Sequence, residues 1–383
     1  MKTAGIICEY NPFHLGHLRQ IRMTRELLGE DCAIVCVMSG NFVQRGMPAM
    51  WDKFARSEAA LCCGADLVLE LPITGVLQSA EGFASTGVEI LHRLGCVDHI
   101  CFGAESGDAD TFLSLAEKMD TEDFQRRLRD GLDAGLSYAA ARQQALEDAE
   151  GLLQTPNNIL ALEYCRAIVR LQSHLKPLVI IRNGDYHDPL PQTDAPSATA
   201  VRSIFPDGNW QDYVPAEAAK MLATKPWYGM EHGERAVLAR LRAMDDAEWE
   251  QCAHGSEGLW RKAMKAARSQ PDLEHIITET KSKRYPRTRI QRLLLCAYLG
   301  ITEQDLKQPI PYVRILAATE IGRNLLRQAK DCDDLPLINP GQAPADKSYY
   351  ATECRASRLY TLFAAPGFEA TSQLEEDGKI VLK

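Results

Sequence analysis

Two short, continuous apolar runs open the chain, residues 4–8 (Ala-Gly-Ile-Ile-Cys) and residues 32–38 (Cys-Ala-Ile-Val-Cys-Val-Met). Runs of this length, closed by turn residues, predict strands buried on both faces. Between them the apolar positions Leu18, Ile21 and Leu28 recur at helical spacing. Asn11-Pro12 marks the predicted helix start, since Asn caps a helix and Pro suits its first position. The pattern then alternates. Helices are expected over 52–63, 79–94, 110–150 and 157–175, and strands over 65–72, 99–103 and 178–181. Such alternation predicts an α/β fold, a Rossmann-like parallel sheet with helices on both faces. After about residue 203 strand-like runs nearly vanish, and 215–329 reads as successive helices, with a small strand at 379–382. The expected organisation is a catalytic segment, 1–205, followed by a mainly helical segment, 206–383.

Composition narrows the class without changing it. The 383 residues are 45% hydrophobic and 25% charged, ordinary for a globular protein. No apolar run approaches the roughly 18 residues that span a bilayer, and no signal-peptide pattern opens the chain. The 12 cysteines include no C-x-x-C pair, so a reducing cytoplasm is expected and structural zinc is not. The net charge of −9 argues against a generally basic nucleic-acid binder but allows a local basic face.

The chemistry starts where the first strand ends. His14-Leu15-Gly16-His17 opens a helix whose N-terminus points back at the sheet, a ready phosphate site. The two histidines lie three apart, on one face, and can donate to phosphate oxygens, while Gly16 leaves room for a flat ligand. The alternative is a histidine that merely starts a helix. A second turn of this kind, Ser197-Ala198-Thr199-Ala200-Val201-Arg202, offers hydroxyls and a guanidinium for phosphates, or else a plain Ser cap with a surface Arg. The loop after the second strand offers Ser39, Gly40, Asn41, Gln44 and Arg45 for close contact with a substrate, against the reading of a structural loop. Asp52 and Lys53 either support this loop or cap the next helix. Gly103, Asn157, Asn158 and Arg182 stand at further strand and helix ends, and one of the two asparagines is expected to be only a cap.

The helical segment carries a basic stretch. Residues 261–292 contain ten Lys or Arg against three acids, a local charge of +7 in an acidic protein. Lys262, Lys265, Lys281, Lys283, Arg284, Arg287, Arg289 and Arg292 are the candidates to hold an RNA backbone; the alternative is a solvated helix face.

The H-x-G-H turn together with the later S-x-T-x-x-R turn resembles the nucleotidylyltransferase superfamily, although Ala198 stands where many members carry a second Ser. Glu9-Tyr10-Asn11-Pro12-Phe13-His14-Leu15-Gly16-His17, Met38-Ser39-Gly40-Asn41-Phe42-Val43-Gln44-Arg45-Gly46, Gly64-Ala65-Asp66-Leu67-Val68-Leu69-Glu70-Leu71-Pro72, Asn157-Asn158-Ile159-Leu160-Ala161-Leu162-Glu163-Tyr164, Ser197-Ala198-Thr199-Ala200-Val201-Arg202 and Lys283-Arg284-Tyr285-Pro286-Arg287-Thr288-Arg289-Ile290 are more closely similar to the bacterial tRNA(Met) cytidine acetate ligases. The resemblance implies ATP-dependent activation of acetate as acetyl-adenylate. The acetyl group then passes to N4 of the wobble cytidine of elongator tRNA(Met). It also implies an ATP site at Ile7, Cys8, Glu9, Tyr10, Asn11, Pro12, Phe13, His14, Leu15, Gly16, His17, Leu18, Arg19 and Gln20, with Gly103, Asn157, Asn158 and Arg182. In this reading His14 and His17 serve the α-phosphate, Ser197, Thr199 and Arg202 grip pyrophosphate, and Mg²⁺ comes with the triphosphate. No protein resident metal site, membrane or obligate protein partner is expected. Two rivals stand beside it: an adenylyltransferase for a small phosphorylated metabolite, and a non-catalytic RNA-binding nucleotide sensor.

Overall fold

The structure is a computed structural model that describes residues 1–146, 151–181, 196–329, 335–368 and 372–383. Its strands are β1 (Thr3–Cys8), β2 (Ala33–Ser39), β3 (Phe42–Val43), β4 (Met47–Pro48), β5 (Leu67–Leu71), β6 (His99–Ala104), β7 (Lys176–Ile181), β8 (Val313–Ala318), β9 (Leu337–Ile338) and β10 (Val381–Leu382). The main sheet runs β10-β8-β5-β2-β1-β6-β7, with β9 beside β8, while β3 and β4 form a separate hairpin. Pairing is parallel across β5-β2-β1-β6-β7, and β8 joins β5 antiparallel. The order reverses between β1 and β6, which opens a crevice at their carboxyl ends.

The apolar runs behave as their continuity predicts. In β2, Ala33, Val35 and Val37 face one core, and Ile34, Cys36 and Met38 face the other. Helices Ala80–Arg93 and Pro156–Arg170 cover the first face through Val88, Leu91, Leu162 and Cys165. Helices Leu15–Leu28 and Lys53–Cys62 cover the second through Ile21, Ala55 and Ala59. The helices Met230–Ala243, Leu259–Ser269, Leu273–Thr280 and Arg287–Leu299 extend the first core. No described helix is long and apolar enough to cross a membrane, and the described cysteines are all free thiols, most of them buried.

Three expectations are corrected. Residues 313–318, read as helix, form β8, with all six residues buried; Val313 and Ile315 favour a strand, Leu316 and the two alanines do not, and the pairing with β5 decides it. The helical stretch 110–150 is three helices, Ala109–Met119, Glu122–Asp133 and Tyr138–Ala145. The first helix begins at Leu15, not at Pro12, because the Asn11 Oδ1 is taken by the Met50 N–H at 2.7 Å and His14 becomes the cap. The division into 1–205 and 206–383 is kept as a proposed division of tasks, since β8 and β10 of the second segment lie in the sheet begun by the first.

That return is fastened by buried charge. Lys53 Nζ donates to both Glu70 oxygens at 2.8 Å and also to Glu375. Arg314 of β8 reaches Glu70 at 3.2 Å and Glu375 at 3.0 Å. Glu353 accepts from the Ile73 N–H at 2.9 Å, and burial, then Glu70 and Glu375, push its carboxyl up to about 8.

Candidate active site

The crevice holds a cavity of about 680 Å³, within the usual range of ligand sites. At its base, His14 Nδ1 accepts from the Gly16 N–H at 3.1 Å and His17 Nδ1 accepts from the His14 N–H at 3.2 Å. The two rings stack with centroids 3.7 Å apart. Because both Nδ1 atoms accept, the neutral rings carry their proton on Nε2, and Nε2–H is the donor for a phosphate oxygen. The same pair thus caps the helix and lines the cavity.

The second motif closes on the first. Ser197 caps the helix Ala198–Ile204, its Oγ accepting from the Ala200 N–H at 3.1 Å. Arg202 donates to the Asn11 carbonyl at 2.6 Å and to Thr199 Oγ1 at 3.0 Å. A side chain at Gly16 would meet the His14 ring at 2.9 Å and approach the Pro196 carbonyl at 3.5 Å, so glycine there permits the close packing. His14, His17, Ser197, Thr199 and Arg202 all line the cavity. Glu9 lines it too; its Oε1 accepts from the Gln44 N–H at 2.6 Å. Burial raises the Glu9 carboxyl above its ordinary range, against the opposing pull of that N–H, Arg202, Arg56 and Arg45.

The remaining expectations divide. Of the 14 residues from Ile7 to Gln20, all but Pro12, Phe13, Leu15 and Leu18 line the cavity; Phe13 is instead packed against Tyr10 and His17. Gly103 and Asn157 line it and Asn158 does not. Asn158 is a brace, its Oδ1 accepting from the Glu105 N–H at 2.9 Å and its Nδ2 donating to the Leu152 carbonyl at 2.8 Å. Neither asparagine is the cap, a position held by Thr155. Arg182 lies outside the described residues.

In the substrate loop Gln44 and Arg45 reach the cavity, whereas Ser39, Gly40 and Asn41 do not. Asn41 is buried and structural, accepting from the Lys53 N–H at 3.0 Å and donating to Ser357 at 3.1 Å. Asp52 caps the next helix.

The basic stretch divides as well. Lys262, Lys265, Lys281, Lys283 and Arg284 are exposed. Arg287 pairs with Glu274, and Arg284 and Arg289 pair with Glu257 at 3.3 and 3.0 Å. Arg292 leaves the set: it is buried and lines the cavity. Phe102, Tyr164, Trp227 and Thr288 also stand in the wall; Tyr164 and Thr288 lie in segments that carry the resemblance but have no role assigned there, and no local spacing marks Phe102 or Trp227.

Comparison with known proteins gives the family and the fold. The HIGH Nucleotidyl Transferase family matches residues 1–376. The tRNA(Met) cytidine acetate ligase of Acetivibrio thermocellus is 36% identical over 365 residues, covering 88% of each chain. That of Clostridium perfringens is 34% identical over 395 residues, covering 97% of this chain and 98% of the relative. Among solved structures, Thermotoga maritima TmcAL in its apo form matches with a TM-score of 0.91 at 28% identity, over 100% of both chains. The same protein bound with alpha-thio ATP matches with a TM-score of 0.89 at 29% identity, again over the whole of both chains.

Proposed function

This chain belongs to the HIGH Nucleotidyl Transferase family, among the tRNA(Met) cytidine acetate ligases, and we propose on that premise that it acetylates N4 of the wobble cytidine of elongator tRNA(Met), using ATP and acetate. The observation that carries the reading is the junction of the two phosphate motifs, where Arg202 bonds the Asn11 carbonyl beside the His14–His17 pair.

The arrangement suits adenylyl transfer. An acetate oxygen bonds to the α-phosphorus of ATP as the bond to the bridging oxygen breaks, and pyrophosphate leaves. The Nε2–H donors of His14 and His17 meet the charge that grows on the α-phosphate, while Ser197, Thr199 and Arg202 hold the departing pyrophosphate. The cytidine amine then attacks the acetyl carbonyl, AMP leaves, and the amine loses a proton. Mg²⁺ would come with the triphosphate, whose oxygens supply ligands. The acidic cluster Glu70, Glu353 and Glu375 is no home for it: it is buried, Lys53 and Arg314 already pair with Glu70 and Glu375, and the Glu353 carboxyl is raised to about 8. Gly103 and Asn157 are assigned to the nucleoside end. We place the protein in the cytoplasm, with its tRNA, and assign it no obligate protein partner.

An anticodon loop is single-stranded, so its base can be splayed into the cavity at little cost. The exposed lysines then hold the backbone, with Lys262, Arg284, Arg287 and Arg289 at the edge of the same surface. Replacing Lys265, Lys281 and Lys283 with Glu should raise the KM for tRNA roughly tenfold or more at low salt and leave acetate-dependent pyrophosphate exchange unchanged. An unaltered KM for tRNA would remove these lysines from the interface. The proposed function itself is tested by measuring pyrophosphate release from ATP with and without acetate. Release should depend on acetate; release driven instead by a phosphorylated metabolite would favour the adenylyltransferase reading.

A further inference from the structure

Arg292 sits in the helix Arg287–Leu299, one turn beyond Thr288, and both line the cavity. A spacing of four puts them on one helix face. Arg292 is only 8% exposed. Its Nε is enclosed without a partner, and among the described residues the guanidinium makes no hydrogen bond or ion pair.

The other buried arginines of the described residues are all engaged. Arg56 donates to the Trp51, Glu9 and Gly40 carbonyls. Arg142 pairs with Glu163 at 2.9 Å, Arg166 with Glu81 at 3.1 Å, and Arg314 with Glu70 and Glu375.

Arg292 has no such relief. Burial draws its pKa down to about 10, and the neighbours acting on it are the Cys296 thiol, which burial keeps neutral, and another cation, Arg289. A buried cation without a counter-charge is costly, and here the open side is the cavity. Neither carboxylate on the cavity wall pairs with it: Glu9 takes the Gln44 N–H, and Glu231 is an exposed side chain. The substrate loop is brought against this point. A side chain at Gly46, where φ is +75°, would lie 2.7–2.8 Å from the backbone of Gln291 and Arg292, so glycine lets the loop carrying Gln44 and Arg45 touch the helix there.

We propose that Arg292, with Thr288 beside it, is the carboxylate-binding residue of the cavity and takes the acetate substrate. The planar guanidinium matches a carboxylate, and a nearly enclosed position suits a two-carbon acid better than a phosphate of a large RNA. Binding one acetate oxygen leaves the other to attack the α-phosphorus. The assignment rests on the acetate-activation reading, and the test separates the two.

Labelled pyrophosphate exchange into ATP is measured for wild type, Arg292→Gln and Arg292→Lys, titrating acetate and ATP independently. In Arg292→Gln the KM for acetate should rise roughly 10- to 100-fold, the span of a hydrogen bond to a charged group, with the KM for ATP unchanged; Arg292→Lys should recover part of the loss. An unchanged KM for acetate overturns the assignment, and a raised KM for tRNA in its place makes Arg292 an RNA contact. If wild type shows no acetate-dependent exchange, the acetate reading itself fails. Melting curves supply a measure independent of turnover. Arg292→Met, freed of the unpaired charge, should melt higher than wild type without ligands, and acetate should raise the melting temperature of wild type alone. A lower melting point for Arg292→Met, or equal acetate shifts in the two, counts against the proposal.

Discussion

Replacing His14 and His17 together with Ala is expected to lower acetate-dependent adenylation by at least about 10³-fold, since a single preorganised donor to developing charge is worth roughly 10²–10³. The rings are stacked at 3.7 Å and oriented by backbone N–H groups on their Nδ1 atoms, so their donors are fixed before the nucleotide arrives. The same change removes a helix cap, at a cost of about 1 kcal/mol, which should leave the protein folded. His14→Asn separates the effects, because Asn retains a capping oxygen while losing the ring donor. It should melt close to wild type and still lose most activity. Exchange rates within tenfold of wild type for the double variant would remove the histidines from the chemistry.

Lys53→Met should destabilise the whole fold by about 3–5 kcal/mol, the usual effect of removing one partner from a buried ion pair, with melting lowered by roughly 5–10 °C. Lys53 is fully buried between Glu70 and Glu375, and without it those carboxylates and Glu353 share Arg314 alone. A melting point within a degree of wild type would mean that Glu70 or Glu375 is held protonated. The cluster also sets a pH dependence. Glu353 has its carboxyl raised from 4.5 to about 8, so the native state holds a proton that the unfolded chain releases. Its contribution is therefore complete below pH 4.5 and declines as pH rises towards 8. Glu353→Gln should remove that decline from melts taken across this window, and an unchanged pH profile would assign it to other groups.

The parts of the fold legible in the sequence were those settled by near neighbours. β1, β2 and β5 announce themselves as short apolar runs, and the H-x-G-H turn stands directly after the first. The elements misread were settled from far away. Asn11 looks like a cap, yet its amide is claimed by Met50, 39 positions on. Asn41 looks like a ligand contact, yet it ties Lys53 to Ser357, 316 positions on. The six residues of β8 carry only a short β-branched signal, Val313 and Ile315, inside a helical half, and their pairing with β5 decides the state. Arg292 was counted with a basic stretch because charge alone does not tell which side of a helix faces inward; the helix Arg287–Leu299 is buried from Ile290 onward except for Gln291, which is partly exposed.

On the reading proposed above, the His14–His17 turn and the Ser197–Arg202 turn activate acetate for transfer to a tRNA cytidine. Incubating the protein with ATP, isotopically labelled acetate and bulk tRNA, followed by nucleoside mass spectrometry, tests it most directly. Labelled N4-acetylcytidine is expected only in elongator tRNA(Met), formed with AMP and pyrophosphate and absent from the His14/His17 double variant. Consumption of ATP with no acetylated cytidine in any tRNA would contradict it.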